Sequence, residues 1–220
     1  MRTAIVGLGH IGATVARNLT TGGAHIIVAD RSLAKAEALA NELGAAAEAT
    51  SVDTALDTAD VIILAVYLDA LKELILSHHA ALAGKIVVDP SNPIAPDGKG
   101  GFTKTIPAAQ SSGQIVASML PEGAELVKAF GTLGAESLAT AANRVPERAV
   151  LFYATDYPEA ARVVAGLIEK SGFSPVLVGG LQECIRLEVG GDLHEFGKLG
   201  RLVSAAEADI VLRSGSLGER

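Results

Sequence analysis

The stretch Thr3-Ala-Ile-Val-Gly-Leu-Gly-His-Ile-Gly12 places three glycines directly after a short apolar run, in the pattern G-x-G-x-x-G. Apolar residues at helical spacing follow from Ile11 to Leu19, so the glycines lie between a predicted strand and a predicted helix. In that setting Gly7 permits a tight turn, Gly9 lets the backbone approach a pyrophosphate, and Gly12 lets the helix pack closely on the strand.

A helix that begins at such a loop supplies free backbone N–H groups and a partial positive charge, and both favour phosphate binding. The loop therefore predicts a dinucleotide site, for which an ordinary strand-to-helix turn is the alternative interpretation. The residues expected to contact the cofactor in this loop are Gly7, Leu8, Gly9, His10, Ile11 and Gly12.

Apolar runs and helical patterns alternate along the rest of the chain. The predicted strands are Thr3–Gly7, His25–Asp30, Ala45–Glu48, Asp60–Val66, Lys85–Asp89, Glu125–Phe130, Ala149–Ala154 and Ser174–Val178. The predicted helices are Ile11–Leu19, Leu33–Leu43 (with Ser32 as N-cap), Asp53–Thr58, Ala70–Leu82, Ala108–Met119, Ala135–Ala142 and Pro158–Ser171. This alternation is typical of an α/β Rossmann doubly wound fold, in which helices cover both faces of a mostly parallel sheet.

We expect an NAD(P)-binding domain over residues 1–180 and a helical C-terminal extension over 181–220, interrupted at Gly190-Gly191 and forming one unit with the domain. One long loop interrupts the alternation, since Pro90–Pro107 contains four of the eight prolines, with Gly98, Gly100 and Gly101. Loops of this length are often functional, and this one is expected to be either a lid over the substrate or a dimer arm.

The end of the second strand gives two signals about the cofactor. Asp30 favours NAD(H), because a carboxylate at this place bonds the adenosine ribose and repels a 2′-phosphate. Arg31, Ser32 and Lys35 favour NADP(H), because guanidinium and ammonium groups bind that phosphate. We expect NADP(H) to be favoured over NAD(H).

Composition excludes several classes of protein. The chain of 220 residues is 49% hydrophobic and carries a net charge of −7, which disfavours nucleic-acid binding. Its one cysteine, Cys184, allows neither an intrachain disulfide nor a cysteine-rich metal site. No apolar run approaches the ~20 residues that cross a bilayer, and no signal sequence is recognised, so we expect a cytoplasmic protein without membrane contact.

Four stretches make the chain resemble the deazaflavin (coenzyme F420)-dependent NADP oxidoreductase family. They are Gly7–Gly12, Ala29-Asp-Arg-Ser32, Asp89-Pro-Ser-Asn-Pro93 and Leu126-Val-Lys-Ala-Phe-Gly-Thr-Leu-Gly-Ala135, and the resemblance extends to about Gly180. The last two stretches are more specific than the first, because glycine patterns of this kind occur in many families.

The resemblance implies roles for further residues. It places Phe130, Thr132, Leu133 and Ala135 at the border of the hydride-transfer site, with Asn92 beside it. It also places Ala65, Val66 and Tyr67 close to the adenosine and the pyrophosphate. Two positions depart from the family's pattern: Gly131 stands where a histidine often precedes the threonine, and Asp30 stands where a small hydroxyl residue is common.

The sequence predicts an NAD(P)-dependent oxidoreductase that transfers hydride between nicotinamide and a small-molecule partner, a flavin or a deazaflavin, and acts as a homodimer. A non-catalytic dinucleotide-binding redox sensor or regulatory protein is the alternative, and a dehydrogenase of small hydroxy or imino acids is a third interpretation. The sequence identifies no residue as a catalytic acid. We interpret His10 as a neighbour of the cofactor and His194 as an exposed residue of the C-terminal tail. No metal is expected, because Asp192, His194 and Glu195 match no standard ligand spacing.

Overall fold

In the computed structural model, which describes residues 1–98 and 101–214, ten strands and nine helices alternate along the chain. The strands are β1 Thr3–Val6, β2 Ile26–Ala29, β3 Ala47–Thr50, β4 Val61–Leu64, β5 Ile86–Asp89, β6 Ile94–Pro96, β7 Phe102–Lys104, β8 Glu125–Lys128, β9 Val150–Ala154 and β10 Ser174–Gly179. The helices are α1 His10–Thr21, α2 Leu33–Leu43, α3 Val52–Thr58, α4 Leu68–Ser77, α5 Ser112–Met119, α6 Ala135–Thr140, α7 Pro158–Lys170, α8 Cys184–Leu187 and α9 Ala205–Ser214.

Eight of these strands form one sheet in the order β3-β2-β1-β4-β5-β8-β9-β10. The first six run parallel, whereas β9 meets β8 in antiparallel fashion at the single pair Lys128–Ala154, and β10 runs parallel to β9. This confirms the predicted Rossmann-type, mostly parallel sheet. The strand order reverses between β1 and β4, and in such sheets ligands bind in the crevice outside the carboxyl ends of the strands at that point.

The sheet is covered on both faces, and the side chains of its central strands β1, β4 and β5 are buried at every position. In β4, Val61 and Ile63 pack on the side that carries α1, α2, α6 and α7. Ile62 and Leu64 pack on the opposite side, against α3, α4, α5, α8 and α9. This two-sided burial explains why these strands show no alternation of polar and apolar residues.

Several boundaries differ from the predicted ones for local reasons. The strand predicted at Ala45–Glu48 begins later, because residues 44–46 form a 3₁₀ turn before β3. The helix predicted from Ala108 begins at Ser112, because Ser111 caps it by accepting a hydrogen bond from the N–H of Gln114. The strand predicted to reach Phe130 ends at Lys128, because Phe130 has a φ of 63°, which is incompatible with a strand.

The helix predicted over Ala70–Leu82 is divided. Helix α4 ends at Ser77 and a 3₁₀ turn, His79–Leu82, follows it. At the break, the imidazole of His78 contacts the Leu74 carbonyl at 3.1 Å and the Asp53 carboxylate at 2.9 Å.

The segment Pro90–Pro107, predicted as a loop, contains an antiparallel hairpin of β6 and β7. Asp97 closes its turn, since the Asp97 N–H donates to the Gly101 carbonyl and the Gly101 N–H donates to the Asp97 carboxylate. Gly100 lies outside the described residues. The role of this hairpin as a lid or as a dimer arm stays a prediction.

The C-terminal extension is helical in α8 and α9, and the residues between these helices form turns. Close contacts explain the turns, since a Cβ on Gly191 would lie 2.3 Å from the Arg186 carbonyl and one on Gly197 would lie 1.7 Å from the Gly191 carbonyl. Residues 215–220 of the predicted extension lie outside the described part, and the division at residue 180 stays a prediction. Among the described helices, none combines the length and the apolar character that a membrane span needs.

The contact between α1 and α7 predicts opposite effects for two glycine substitutions. A Cβ on Gly22 would lie 1.8 Å from the Lys170 carbonyl, whereas a Cβ on Gly166 meets nothing within 4 Å. We expect Gly22→Ala to lower the free energy of unfolding by about 1–3 kcal/mol, and Gly166→Ala to raise it by about 0.5–1 kcal/mol. Urea unfolding measures both, and equal effects would contradict the close packing.

Candidate cofactor site at the carboxyl edge of the sheet

The glycine loop has the shape that the sequence predicts. Gly7 has a φ of 90°, and a Cβ there would lie 2.7 Å from the Ala65 carbonyl. A Cβ on Gly12 would lie 1.9 Å from the Gly7 carbonyl, so α1 packs on β1 without room for a side chain. Gly9 is different, because a Cβ there meets nothing within 4 Å. Gly9 is also the N-cap of α1, and no side chain caps this helix. The first N–H groups of α1 therefore face open space.

Asp30 joins the glycine loop to the loop after β2. One oxygen of its carboxylate accepts from the Leu8 N–H at 2.9 Å, and the other accepts from the Ser32 N–H at 3.1 Å. Lys35 lies 3.6 Å from the same carboxylate. Partial burial tends to raise the pKa of Asp30, but the two backbone hydrogen bonds and the charge of Lys35 outweigh it and hold the pKa below its usual value.

The three polar neighbours of Asp30 lie at the surface. Arg31, Ser32 and Lys35 are all exposed. Ser32 is the N-cap of α2, as predicted, but its hydroxyl accepts no hydrogen bond from the helix. The hydroxyl is therefore available to a ligand.

The residues after β4 lie against the glycine loop. The Ala65 N–H donates to the Val6 carbonyl, and the side chain of Val66 would lie 2.4 Å from a Cβ on Gly7. Tyr67 is the N-cap of α4 and is 65% exposed. Ala65 and Val66 therefore shape the loop, while Tyr67 presents an aromatic ring to solvent.

At the other end of the carboxyl edge, Asn92 binds the loop after β8. Its amide donates to the Gly131 carbonyl at 2.9 Å, and its oxygen accepts from the Val189 N–H at 2.7 Å. A Cβ on Gly131 would lie 2.6 Å from the Pro90 carbonyl, so the backbone here admits no side chain such as histidine.

The residues predicted to border the hydride-transfer site differ in burial and in hydrogen bonding. Phe130 is fully buried with its ring in the core, and only its left-handed backbone shapes the loop. Leu133 is buried and Ala135 begins α6. Thr132 is 1% exposed, and its hydroxyl finds no hydrogen-bond partner among the described residues.

The segment 188–197, which we call the tail segment, covers this end of the edge. The Glu195 N–H donates to the Thr132 carbonyl, and the Glu195 carboxylate accepts from the Gly134 N–H and from the Ser137 hydroxyl at the start of α6. Phe196 lies against Gly134 with its ring 66% exposed.

His194 of the tail segment is buried, so the prediction of an exposed tail histidine is wrong. Its Nδ1 accepts from the Phe196 N–H at 2.9 Å, which leaves the proton of the neutral ring on Nε2. Burial lowers the pKa of His194 to about 4, although a hydrogen bond with the Gly131 backbone and the charge of Glu195 act in the opposite direction. His194 is therefore neutral near pH 7.

Below this surface lies a buried cluster of polar and charged side chains. The ammonium of Lys128 donates to the Asp89 carboxylate at 2.7 Å, to the Ser91 carbonyl and to the Ser112 hydroxyl. The Glu188 carboxylate accepts from the Ser112 hydroxyl at 2.9 Å. The same Glu188 oxygen accepts from the Ser111 hydroxyl and the Gly113 N–H.

The sequence interpretation missed most of this cluster. A lysine in an apolar strand, as in Glu125-Leu-Val-Lys128, is the one signal that could have indicated a buried ion pair. Glu188 gives no local signal, because its partners lie 75 to 77 residues away in the chain.

Cys184 packs beside this cluster. It is fully buried, and burial raises the pKa of its thiol to about 12 even though Lys128 acts in the opposite direction. A thiol in this state is unreactive, so Cys184 contributes to packing. Within residues 1–98 and 101–214, no group of three or more His, Cys, Asp or Glu side chains is arranged to hold a metal ion.

Open surface depressions occur away from the carboxyl edge. One lies against β3 and is lined by Glu37, Ala40, Asn41, Gly44, Ala47 and Ala49. Another lies at the amino edge of the sheet, around Arg2 and His25. Both are open to solvent, whereas buried polar groups converge beneath Asn92, so the carboxyl edge is the better candidate site.

The sheet, the glycine loop and the open N-terminus of α1 define the chain as a Rossmann-type dinucleotide-binding protein. A model of the family described as NADP oxidoreductase, coenzyme F420-dependent, matches residues 2–93. A hypothetical protein from Sinorhizobium meliloti, SMa0349, is 32% identical over 93% of this chain and 95% of its own, with a TM-score of 0.81. The chain belongs to this NADP oxidoreductase family.

Two further solved structures share the fold at lower identity. A candidate F420-dependent NADP-reductase from Arthrobacter sp. FB24 is 20% identical over 83% of this chain and 86% of its own, with a TM-score of 0.71. A pyrroline-5-carboxylate reductase from Coxiella burnetii is 14% identical over 98% of this chain and 72% of its own, with a TM-score of 0.60. Among curated proteins, no match is found.

The lowered pKa of His194 predicts a specific dependence of stability on pH. Between a folded pKa of about 4 and the ordinary value of 6.5, the unfolded chain binds the proton more readily, so stability falls as pH falls through that range. From pH 6.5 to pH 5 we expect the wild type to lose on the order of 1–2 kcal/mol more than His194→Gln. The exposed His79 gives the control, because His79→Gln should keep the wild-type dependence; identical profiles for wild type and His194→Gln would contradict burial of a neutral imidazole.

Proposed function

We propose that the protein is an NADP(H)-dependent oxidoreductase that transfers hydride between the nicotinamide and a planar acceptor of the flavin or deazaflavin class. The observation that carries this proposal is the open space above Gly9 at the uncapped N-terminus of α1, on the same edge of the sheet as the loop after β8. Membership of the NADP oxidoreductase family supports it.

The residues of the carboxyl edge fit a dinucleotide. The pyrophosphate would bind over Gly9, where N–H groups of α1 supply donors and a partial positive charge. The nicotinamide end would reach Asn92 and Thr132, and the unpartnered Thr132 hydroxyl offers a hydrogen bond that no described residue uses. The residues proposed to contact the cofactor are Gly7, Leu8, Gly9, His10, Ile11, Gly12, Asp30, Arg31, Ser32, Lys35, Ala65, Val66, Tyr67 and Asn92.

The environment of Asp30 supports NADP(H) over NAD(H). Its two oxygens already accept hydrogen bonds from Leu8 and Ser32, so the carboxylate serves to hold the two loops together. Lys35 also offsets its charge. Arg31 and Lys35 extend at the surface beside it, where they can bind a 2′-phosphate.

The bound nicotinamide supplies the hydride chemistry, and the chain's own residues position the ring and exclude water. Buried Leu133 and Thr132 give a dry wall on one side, and the bonds from Asn92 and the tail segment hold the loop after β8 in place. His194 is neutral and its Nδ1 is occupied by a backbone N–H, so it acts as a support rather than as a proton donor.

Exposed aromatic rings support a planar acceptor. Phe196 lies beside the loop after β8 and keeps two thirds of its surface exposed, which allows stacking with a flat heterocycle. An acceptor that takes hydride directly into a ring needs no acid from the protein, and this agrees with a site built from amide, hydroxyl and apolar groups.

A homodimer is part of the proposal. The edge strand β10 has an open side, and its Leu177 is 46% exposed beside the packing helix α9. Sheet edges with exposed apolar residues are commonly covered by a partner. A second copy of the chain is the partner that this arrangement favours.

Anaerobic mixing with NADPH tests the proposed reaction. We expect NADPH absorbance to fall in proportion to reduction of an added deazaflavin or FMN, and we expect Gly9→Val to abolish both nucleotide binding and turnover. Because Gly9 has open space around it, this variant should unfold at the wild-type temperature. Tight NADPH binding without turnover on either acceptor would instead support a dinucleotide sensor.

Replacement of the exposed guanidinium tests the nucleotide preference. We expect Arg31→Ala to raise the Kd of NADPH by about tenfold or more, since a charge-assisted phosphate contact is worth about 1.5–3 kcal/mol, while the Kd of NADH changes little. Arg148→Ala, at the surface after α6, serves as the control for the loss of one positive charge. Equal losses for NADPH and NADH would refute a 2′-phosphate contact.

A further inference from the structure

The buried cluster beneath the candidate hydride site carries unbalanced charge. Asp89, Lys128 and Glu188 are 0%, 2% and 1% exposed, so solvent screens none of them effectively. All three N–H donors of Lys128 are used, by Asp89, by the Ser91 carbonyl and by the Ser112 hydroxyl. Lys128 is therefore paired directly with Asp89 and is linked to Glu188 only through the Ser112 hydroxyl.

Hydrogen-bond donors surround both carboxylates. Asp89 accepts from the Ser91 N–H at 2.7 Å and from Lys128. One oxygen of Glu188 accepts from three donors. Two carboxylates and one ammonium group give the cluster a formal excess of one negative charge.

Direct contacts place this excess behind the proposed nicotinamide site. Lys128 binds the Ser91 carbonyl, and the N–H of Val189, next to Glu188, binds the Asn92 side chain. Asn92 in turn binds the Gly131 carbonyl, one residue before Thr132. Only one or two hydrogen bonds therefore separate the cluster from the residues proposed to border the ring.

No other charged side chain near the cluster in the described part of the chain cancels the excess charge, and the partial positive charge at the N-terminus of α5 offsets only part of it. Glu195 adds a carboxylate on the same side, and His194 is neutral. Lys104 binds the carbonyls of Ala108 and Gln110 in the partly exposed hairpin, where water screens its charge. Arg186 is paired with both Asp192 and Glu183.

Unpartnered atoms indicate that a ligand completes this region. The hydroxyls of Ser91 and Thr132 and the second oxygen of Glu188 are buried, and none finds a hydrogen-bond partner among the residues that the structure describes. Buried polar atoms nearly always have partners, so three such atoms in connected segments point to groups supplied by a bound molecule or its waters.

We propose that the negative charge of the Asp89–Lys128–Glu188 cluster stabilises the oxidised, cationic nicotinamide ring in the site above it in preference to the neutral, reduced ring. This inference rests on the proposed function. When hydride leaves the reduced ring for the acceptor, the ring gains one positive charge and the acceptor gains the two electrons. A site with excess negative charge stabilises that product, so it lowers the reduction potential of the bound couple and makes bound NADPH a stronger hydride donor.

Binding measurements on Glu188→Gln test this proposal without any acceptor. Glutamine keeps the shape and the accepting oxygen but removes the excess charge. We expect the ratio of the Kd of NADP⁺ to the Kd of NADPH to rise by roughly tenfold, the effect of one unit charge across a partly buried separation. Asp89→Asn removes the same charge by a second route and should move the ratio in the same direction.

The control is Glu159→Gln, which removes one exposed carboxylate from α7 and should leave the ratio unchanged. The wild type alone should bind NADP⁺ at least as tightly as NADPH, so the proposal is tested even if both cluster variants fail to fold. An unchanged or lowered ratio in folded variants, or a tenfold wild-type preference for NADPH, would overturn it. Failure of the wild type to bind either nucleotide would instead refute the proposed function.

Discussion

The rest of the site depends on one constraint, the close packing of Gly12 in α1 against the Gly7 carbonyl, which leaves no room for a side chain. A Cβ would lie 1.9 Å from that oxygen, so α1 can begin directly above β1 only with glycine at this position. The helix N-terminus therefore opens over the carboxyl edge of the sheet. Asp30 then fixes the loop by accepting from the Leu8 N–H, and Ala65 closes it from the side of β4.

The two ends of the carboxyl edge differ in charge. At the β2 end, Arg31 and Lys35 are exposed and positive. At the β5–β8 end, the buried cluster and Glu195 leave an excess of negative charge. An oxidised dinucleotide phosphate has the complementary distribution, with its 2′-phosphate at one end and a cationic ring at the other. Electrostatics thus favours one orientation of the cofactor and one redox state of it.

The sequence was sufficient for features set by neighbours in the chain. The glycine pattern, the apolar central strands and the polar residues after β2 depend on local geometry, and they were located to within a few residues. Contacts across long stretches of chain were not predictable, because nothing near Glu188 indicates that it binds the start of α5. His194 was misassigned for the same reason, since its burial follows from how the tail segment folds onto the loop after β8. The Ser32 hydroxyl makes no capping hydrogen bond, because the Lys35 N–H donates to the Ser32 carbonyl instead.

Hydrogen exchange of backbone amides, followed by mass spectrometry with and without NADPH, tests most directly whether a dinucleotide spans this edge. The account predicts slower exchange in three separated segments: the glycine loop over residues 7–13, the loop at residues 30–35, and the loop at residues 130–134 together with the tail segment. Protection limited to the depression against β3, around Glu37 and Ala49, would place the ligand elsewhere and contradict the account.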